Sequence, residues 1–304
     1  MALINTGSFG KALWPGINKW YGDAYTEFPV EYDKIFTKNT SRKAFEEDVG
    51  TSMFGLAQQK GEGQAVSYDT AQQGFIDRYT HVTYGLGFVI TKEMVEDDLY
   101  DVIGKKRSQA LAFSMRQTKE ILAANVLNNG FSGGPTYGDG LALLVTNHPN
   151  VAGGTYANIL AAAADLSEAS LEQAIIDLGK YTDDRGKRIA VRPQKLVVPV
   201  DLQFEADKIM KTEYEVGTAN NTVNVVRSKF PGGVVVNHYL TEGATTDFWF
   251  ILTDVKDGMK YFERRADSFT QDDDFDTDNA KFKATARYSF GCTDKRSIFG
   301  SPGV

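Results

Sequence analysis

Apolar residues open the chain without a regular beat. Trp14, Trp20, Tyr21, Tyr25, Phe28, Tyr32 and Phe36 fall within residues 1–45, and neither a two-residue nor a 3.6-residue period runs through them, so the stretch reads as an extended arm. Aromatic rings left in water are costly, and these call for a covering surface: the arm's own domain or a neighbouring copy. Alternation appears where Val82, Tyr84, Leu86, Phe88 and Ile90 interleave with Thr83, Gly85, Gly87 and Val89, which predicts a strand. Ahead of it, Gln58 to Gln73 is polar and contains Gly61 and Gly63. That composition suits a long projecting hairpin, which needs a surface to lean on because an isolated hairpin is not stable.

Helical positions follow. Thr91 ahead of Glu93 to Asp98 reads as an N-capped acidic helix start, and helix formers without proline run from Asp101 to about Leu127, where Asn128, Asn129 and Gly130 stop them. Such a helix spans roughly 40 Å, enough to cross a domain. Ser167 to Tyr181 places Leu171, Ala174, Ile175 and Leu178 at helical spacing, and Asp183 to Gly186 makes a turn. Leu196 to Val200 reads as a buried strand, with Asp201 capping a helix through Met210. Short β runs are expected at Thr222 to Val226, Val234 to His238, Phe248 to Thr253 and Met259 to Arg264, and Phe282 to Phe290 alternates as a closing strand. The class is α+β.

With 304 residues, 42% of them hydrophobic and 24% charged, the chain folds and buries a sizeable core. Its formal charge of −7 argues against broad wrapping of nucleic acid. The single cysteine, Cys292, excludes an internal disulfide framework and a cysteine-rich zinc site. Met1 to Pro15 lacks the pattern of a secretory signal, and the longest apolar run, Ile159 to Ala164, is too short to cross a bilayer, so no membrane partner is expected. On the long helix, Lys105, Lys106, Arg107, Arg116 and Lys119 read as a solvated face, or as a face turned toward packaged DNA.

Catalytic patterns fail on context. Gly130 to Gly134 spells G-x-S-x-G around Ser132, but a nucleophile elbow needs a strand before the serine, and here a helix precedes it. An esterase using Ser132 is the alternative of a different class. Asp274, Asp276 and Asp278 alternate like a calcium loop, yet Asn279 and Thr285 stand where glycine and glutamate belong. His81, His148 and His238 are too far apart in sequence to suggest a metal motif, and no phosphate-loop motif occurs. No catalytic residue, metal ligand or cofactor is therefore expected.

The most specific text is His148-Pro149-Asn150, Asn158-Ile159-Leu160, Leu166 to Ala174, the run Asp183-Asp184-Arg185-Gly186-Lys187-Arg188, Arg192-Pro193, and Lys195-Leu196-Val197-Val198-Pro199. With the ending Phe282 to Tyr288 and Ile298 to Gly303, it resembles the Mu-like major head subunit family of tailed phages. The resemblance implies the Hong Kong 97 fold: an N-terminal arm (1–47), an extended loop (48–75), a peripheral domain (76–165 and 255–304) with a spine helix about 101–127, and an axial domain (166–254). The elements read independently fall in that order. It also implies a major capsid protein that self-assembles as pentamers and hexamers into an icosahedral shell around double-stranded DNA. Scaffold, portal and decoration proteins would be partners, with assembly in the host cytoplasm and a place in the virion. Contacts between copies are expected at Trp14, Trp20, Tyr21 and Phe28 of the arm and at Phe54, Leu56, Lys60, Val66 and Tyr68 of the loop. Lys60 stands where the founding member carries a cross-linking lysine. A cellular nanocompartment shell of the same fold is the nearest alternative, separable by protein cargo in place of DNA.

Overall fold

The structure is a computed structural model that describes residues 10–27, 29–91, 93–94, 103–131, 136–214, 222–240, 247–273 and 279–304. Two four-stranded sheets organise it. The first has the order β1 (Thr37–Thr40), β10 (Met259–Asp273), β11 (Ala280–Cys292), β4 (Val82–Ile90). Its β1–β10 pairing is parallel and the rest antiparallel. The second has the order β12 (Ile298–Ser301), β9 (Trp249–Thr253), β7 (Pro193–Val198), β8 (Val234–Val236). A separate hairpin pairs β2 (Phe45–Thr51) with β3 (Gln73–Thr80), and β5 (His148–Pro149) pairs with β6 (Thr155–Tyr156).

Burial explains the uninterrupted Leu196-Val197-Val198 run. Val197, Phe250 and Leu252 face a core shared with the long helix, while Leu196, Val198, Trp249 and Ile251 face a second core against α3 (Glu168–Gly179). The second sheet is thus covered on both faces, the setting in which alternation disappears. Ser167 caps α3 through a capping box with Ser170. The spine helix is α2, Lys105–Asn128, which buries Leu111, Met115 and Leu127 beneath the first sheet. Its expected first residues, 101 and 102, lie outside the described residues, as does most of the acidic stretch Glu93 to Asp98. Met94 N–H does donate to Thr91 Oγ1 at 3.4 Å.

Several expectations need correcting. Residues 10–27 form a helix, α1 (Gly10–Glu27), not an extended arm, and Ile17, Tyr21 and Ala24 are buried at i, i+4, i+7. Tyr21 stacks on Phe269 at 4.5 Å and donates to Asp267, so its ring is already covered by its own chain. Trp20 is half-buried against Ile17, Ile90 and Phe282. Trp14 lies on α1 but its side chain, like the whole of Phe28, is outside the described residues. Arg116 and Lys119 are buried rather than solvated. Arg116 Nη1 donates to Tyr25 O at 2.9 Å, and Lys119 Nζ lies 5.1 to 6.0 Å from the ring centres of Tyr288, Tyr261 and Tyr32. Burial pulls the Lys119 ammonium below its usual pKa. The neighbouring Glu120 accepts from the Glu31 and Tyr32 N–H groups at 3.0 Å each. These central charges of α2 pin the arm to the spine, because α1 and Tyr32 cover the face that carries them. Only Lys105, Lys106 and Arg107 stay exposed.

Further along, Asp201 sits inside a short 3-10 turn, Val200–Leu202, and does not cap α4 (Gln203–Lys211). Thr222 to Val226 forms no strand; it makes a single bridge, Tyr214 to Val223. After β11 the tail crosses to β12, which pairs with β9 in the second sheet. Ser132 and Asp274 to Asp278 lie outside the described residues.

Candidate assembly surface

The β2–β3 hairpin projects from the first sheet. Its inner side is anchored: Tyr79 packs on Phe262 at 4.8 Å, and Asp77 is buried with Lys295. Pairing runs from Phe45↔Thr80 to Thr51↔Gln73, and Ser52 and Gln72 close it with two hydrogen bonds of 2.8 and 2.9 Å. Beyond them residues 53–71 extend without strand pairing and reverse at Glu62 and Gly63, the latter at a φ of 75° that favours glycine.

This tip carries the loop residues expected from the sequence. Phe54, Leu56, Val66 and Tyr68 are exposed, Leu56 at 80% and Tyr68 at 97%, together with Met53. Lys60 is exposed beside the reversal. Five large apolar side chains on one projecting segment are far from the scattered single exposures of an ordinary surface. Val49 and Ile76, opposite each other on the stem, are exposed too. Tyr21, by contrast, is not part of this surface.

What holds the tip was not foreseen. The Asp183 carboxylate, buried, accepts the N–H groups of Arg185 at 2.9 Å and Lys187 at 2.8 Å, and Gly186 completes the turn at φ 77°. Burial pushes the Asp183 pKa up, but the Lys187 backbone and ammonium together with the Arg185 N–H outweigh it and leave the carboxyl below its ordinary value. From this turn Arg185 Nη1 reaches Asp69 Oδ2 at 2.6 Å, its other terminal nitrogen donates to Thr70 O, and Lys187 Nζ donates to Phe54 O. Asp69 also accepts from the N–H of Gly55 at 2.6 Å and Thr70 at 2.8 Å. The Gly55 N–H, then Arg185, hold its pKa down at about 2. The sequence signal was the Asp183-x-x-Gly186 turn, which predicts a bend but not its partner.

Because the depressed Asp69 pKa stabilises the charged form, the tip contact is complete above about pH 4 and is lost as pH falls through about 2. Hydrogen exchange of the Gly55 and Thr70 amides is expected to speed up over that window in the wild-type chain. In an Asp69→Asn variant it should be fast at every pH, and pH-independent protection there would contradict the assignment.

Among the described residues no group of histidine, cysteine and carboxylate side chains is arranged to hold a metal, and no helix is long and apolar enough to cross a membrane. His81 bonds to Ser289 and Ser41, His148 to Asp139, and His238 to Glu31, each a separate structural contact.

The comparisons agree with this geometry. A virus-like particle protein from Pyrococcus furiosus superposes with a TM-score of 0.54 at 10% identity, over 94% of this chain and 98% of that one. The capsid of Myoviridae phage XM1 gives 0.54 at 14%, over 92% and 94%, and the procapsid of bacteriophage JBD30 gives 0.52 at 17%, over 98% and 76%. The fold is of the Hong Kong 97 capsid type, an α+β architecture. No match is found among curated protein sequences. A family model described as phage capsid protein matches residues 76–300, and the chain belongs to that family. It is a major capsid protein, a structural subunit of a virion shell. The nanocompartment alternative has no better support.

Proposed function

We propose that the chain assembles as pentamers and hexamers into a closed icosahedral head around double-stranded DNA, with the hairpin tip as the main element laid on a neighbour. The observation that carries this reading is the set of five exposed apolar residues on the tip, Met53, Phe54, Leu56, Val66 and Tyr68. Burying side chains of this size is worth about 1.5–3 kcal/mol each, so the tip supplies on the order of 10 kcal/mol per subunit before ordering costs. Repeated around a closed shell, that is sufficient to drive assembly. Trp20 adds a smaller contribution from the arm, and Trp14 and Phe28 extend the same role. Lys105, Lys106 and Arg107 make weak, non-specific contact with the packaged DNA. Scaffold, portal and decoration proteins complete the head in the host cytoplasm. Electron microscopy of the purified chain is expected to show closed shells with five- and six-fold capsomers. A chain that stays monomeric across salt, pH and concentration would defeat the proposal.

A further inference from the structure

The two four-stranded sheets have four edges between them, and the fold guards three. β1 is four residues long and carries Lys38, β8 is three residues long, and all four residues of β12 are buried. The fourth edge, β4, has none of these protections. Its residues, Val82–Ile90, include no charge and no proline. They pair with β11 from end to end without a bulge, and among the described residues no strand lies on the other side. Val82, Leu86 and Val89 are each about half exposed. A long, regular, apolar edge leaves a row of backbone N–H and C=O groups open to another strand.

The order of the residues says which strand fits. Read outward from Leu86, β4 is close to a palindrome: Gly85 and Gly87, then Tyr84 and Phe88, then Thr83 and Val89, then Val82 and Ile90. A second β4 laid antiparallel about a two-fold axis at Leu86 sets each residue opposite its match, with Leu86 facing its own copy on the axis. Tyr84 and Phe88 already stack on Tyr288 and Phe282 of β11 at 5.0 Å each, and the added strand continues both rows with an aromatic ring of the second copy. Like charges are opposed nowhere along the pair. A two-fold contact requires a surface that complements itself, and this edge does so residue by residue.

We infer that β4 pairs with β4 of a second copy across a two-fold axis through Leu86, joining the two first sheets into one continuous sheet. The place of this contact rests on the shell reading above. Rings of five and six are made by head-to-tail contacts, and a two-fold contact is what fastens one ring to the next in a closed shell.

The test uses the full-length chain with Leu86→Cys. Opposed residues of an antiparallel pair stand about 4.5–5.5 Å apart at Cα, within disulfide reach, and a residue on the axis meets only its own copy. Oxidised shells are expected to give a covalent dimer on a non-reducing denaturing gel and no larger species. The native Cys292 is buried and its thiol is pushed up to about 12, so it does not compete. Val89→Cys alone should give no dimer, because its two copies lie roughly 20 Å apart along the pair, and adding Thr83→Cys should restore the link. Shells without the Leu86→Cys dimer, or with a ladder of multimers, would overturn the inference while leaving the shell reading intact. Absence of particles from the wild-type chain before any oxidation would count against the shell reading itself.

A pair of charge variants decides without oxidation. Thr83→Glu with Val89→Glu is favourable within the chain, where Arg287 and Lys281 stand opposite on β11, but it sets carboxylate against carboxylate between copies. It is expected to abolish shells and leave free capsomers, whereas Thr83→Glu with Val89→Lys should recover shells. Equal shell yields from the two, high or low, would overturn the inference.

Discussion

Replacing residues 53–71 with an Asn-Gly turn is expected to give a folded subunit that forms no shells. Two-residue Asn-Gly loops match the twist of paired strands, and the stem is already closed by Ser52 and Gln72. None of the excised residues belongs to any of the three cores. Their removal costs the polar contacts to Arg185 and Lys187, which are part-exposed and individually worth little. Thermal unfolding should therefore move by only a few degrees, roughly what 1 kcal/mol shifts in a chain of this size. Assembly loses the whole apolar surface of the tip. Normal shells from the shortened chain would refute the role given to the hairpin; unfolded protein would show that the tip supports the monomer.

The second large effect is on stability. Lys295 Nζ lies 2.6 Å from Asp77 Oδ2, and both side chains are buried. The other Asp77 oxygen accepts the Gly138 N–H at 2.7 Å, and the ammonium stands 5.2 Å from the Tyr137 ring centre. Removing one partner of such a pair leaves an uncompensated charge in a poorly solvated place, at a cost of about 3–5 kcal/mol. Lys295→Met should lower the unfolding free energy by that amount in urea titrations. Adding Asp77→Asn removes the stranded charge while keeping an acceptor for Gly138, and should recover most of the loss. A single variant within about 1 kcal/mol of wild type would mean that water reaches the pair and solvates it. Asp77 is on the hairpin stem and Lys295 follows β11, so the pair ties the hairpin to the body, and under the function proposed above its loss should also impair assembly.

The elements most legible in the sequence are those whose burial has one simple period. β4 was readable because Tyr84, Phe88 and Ile90 face the core while Gly85 and Gly87 lie against β11: a Cβ at Gly87 would come within 2.5 Å of the Phe282 carbonyl oxygen. The Leu196–Val198 run was readable because both faces of β7 are buried. α1 was not, since Pro15 and Gly16 interrupt its pattern and Trp20 and Tyr25 flank the buried line of Ile17, Tyr21 and Ala24. Arg116 and Lys119 look like surface charges in one dimension. Only the return of the arm over α2 supplies the Tyr25 carbonyl and the ring cluster that make their burial tolerable. In the candidate assembly surface, apolar residues within a polar, glycine-containing stretch were visible in the sequence, and the structure leaves them exposed. Their receptor was not, because Asp69 and Arg185 meet only through the fold, and no local pattern encodes a pairing that distant.

The parallel pairing of Thr37 with Lys260 has a consequence for timing. Most of the chain lies between those two residues, and closing so large a loop is entropically slow compared with forming neighbouring contacts. The lobe around β7 and α3 draws largely on residues close in sequence and can condense early. The first sheet, on which the hairpin stem rests through Tyr79 and Phe262, is expected to form last. A subunit is therefore expected to complete the platform under its hairpin only at the end of its folding, so the copies that present an ordered hairpin are the finished ones.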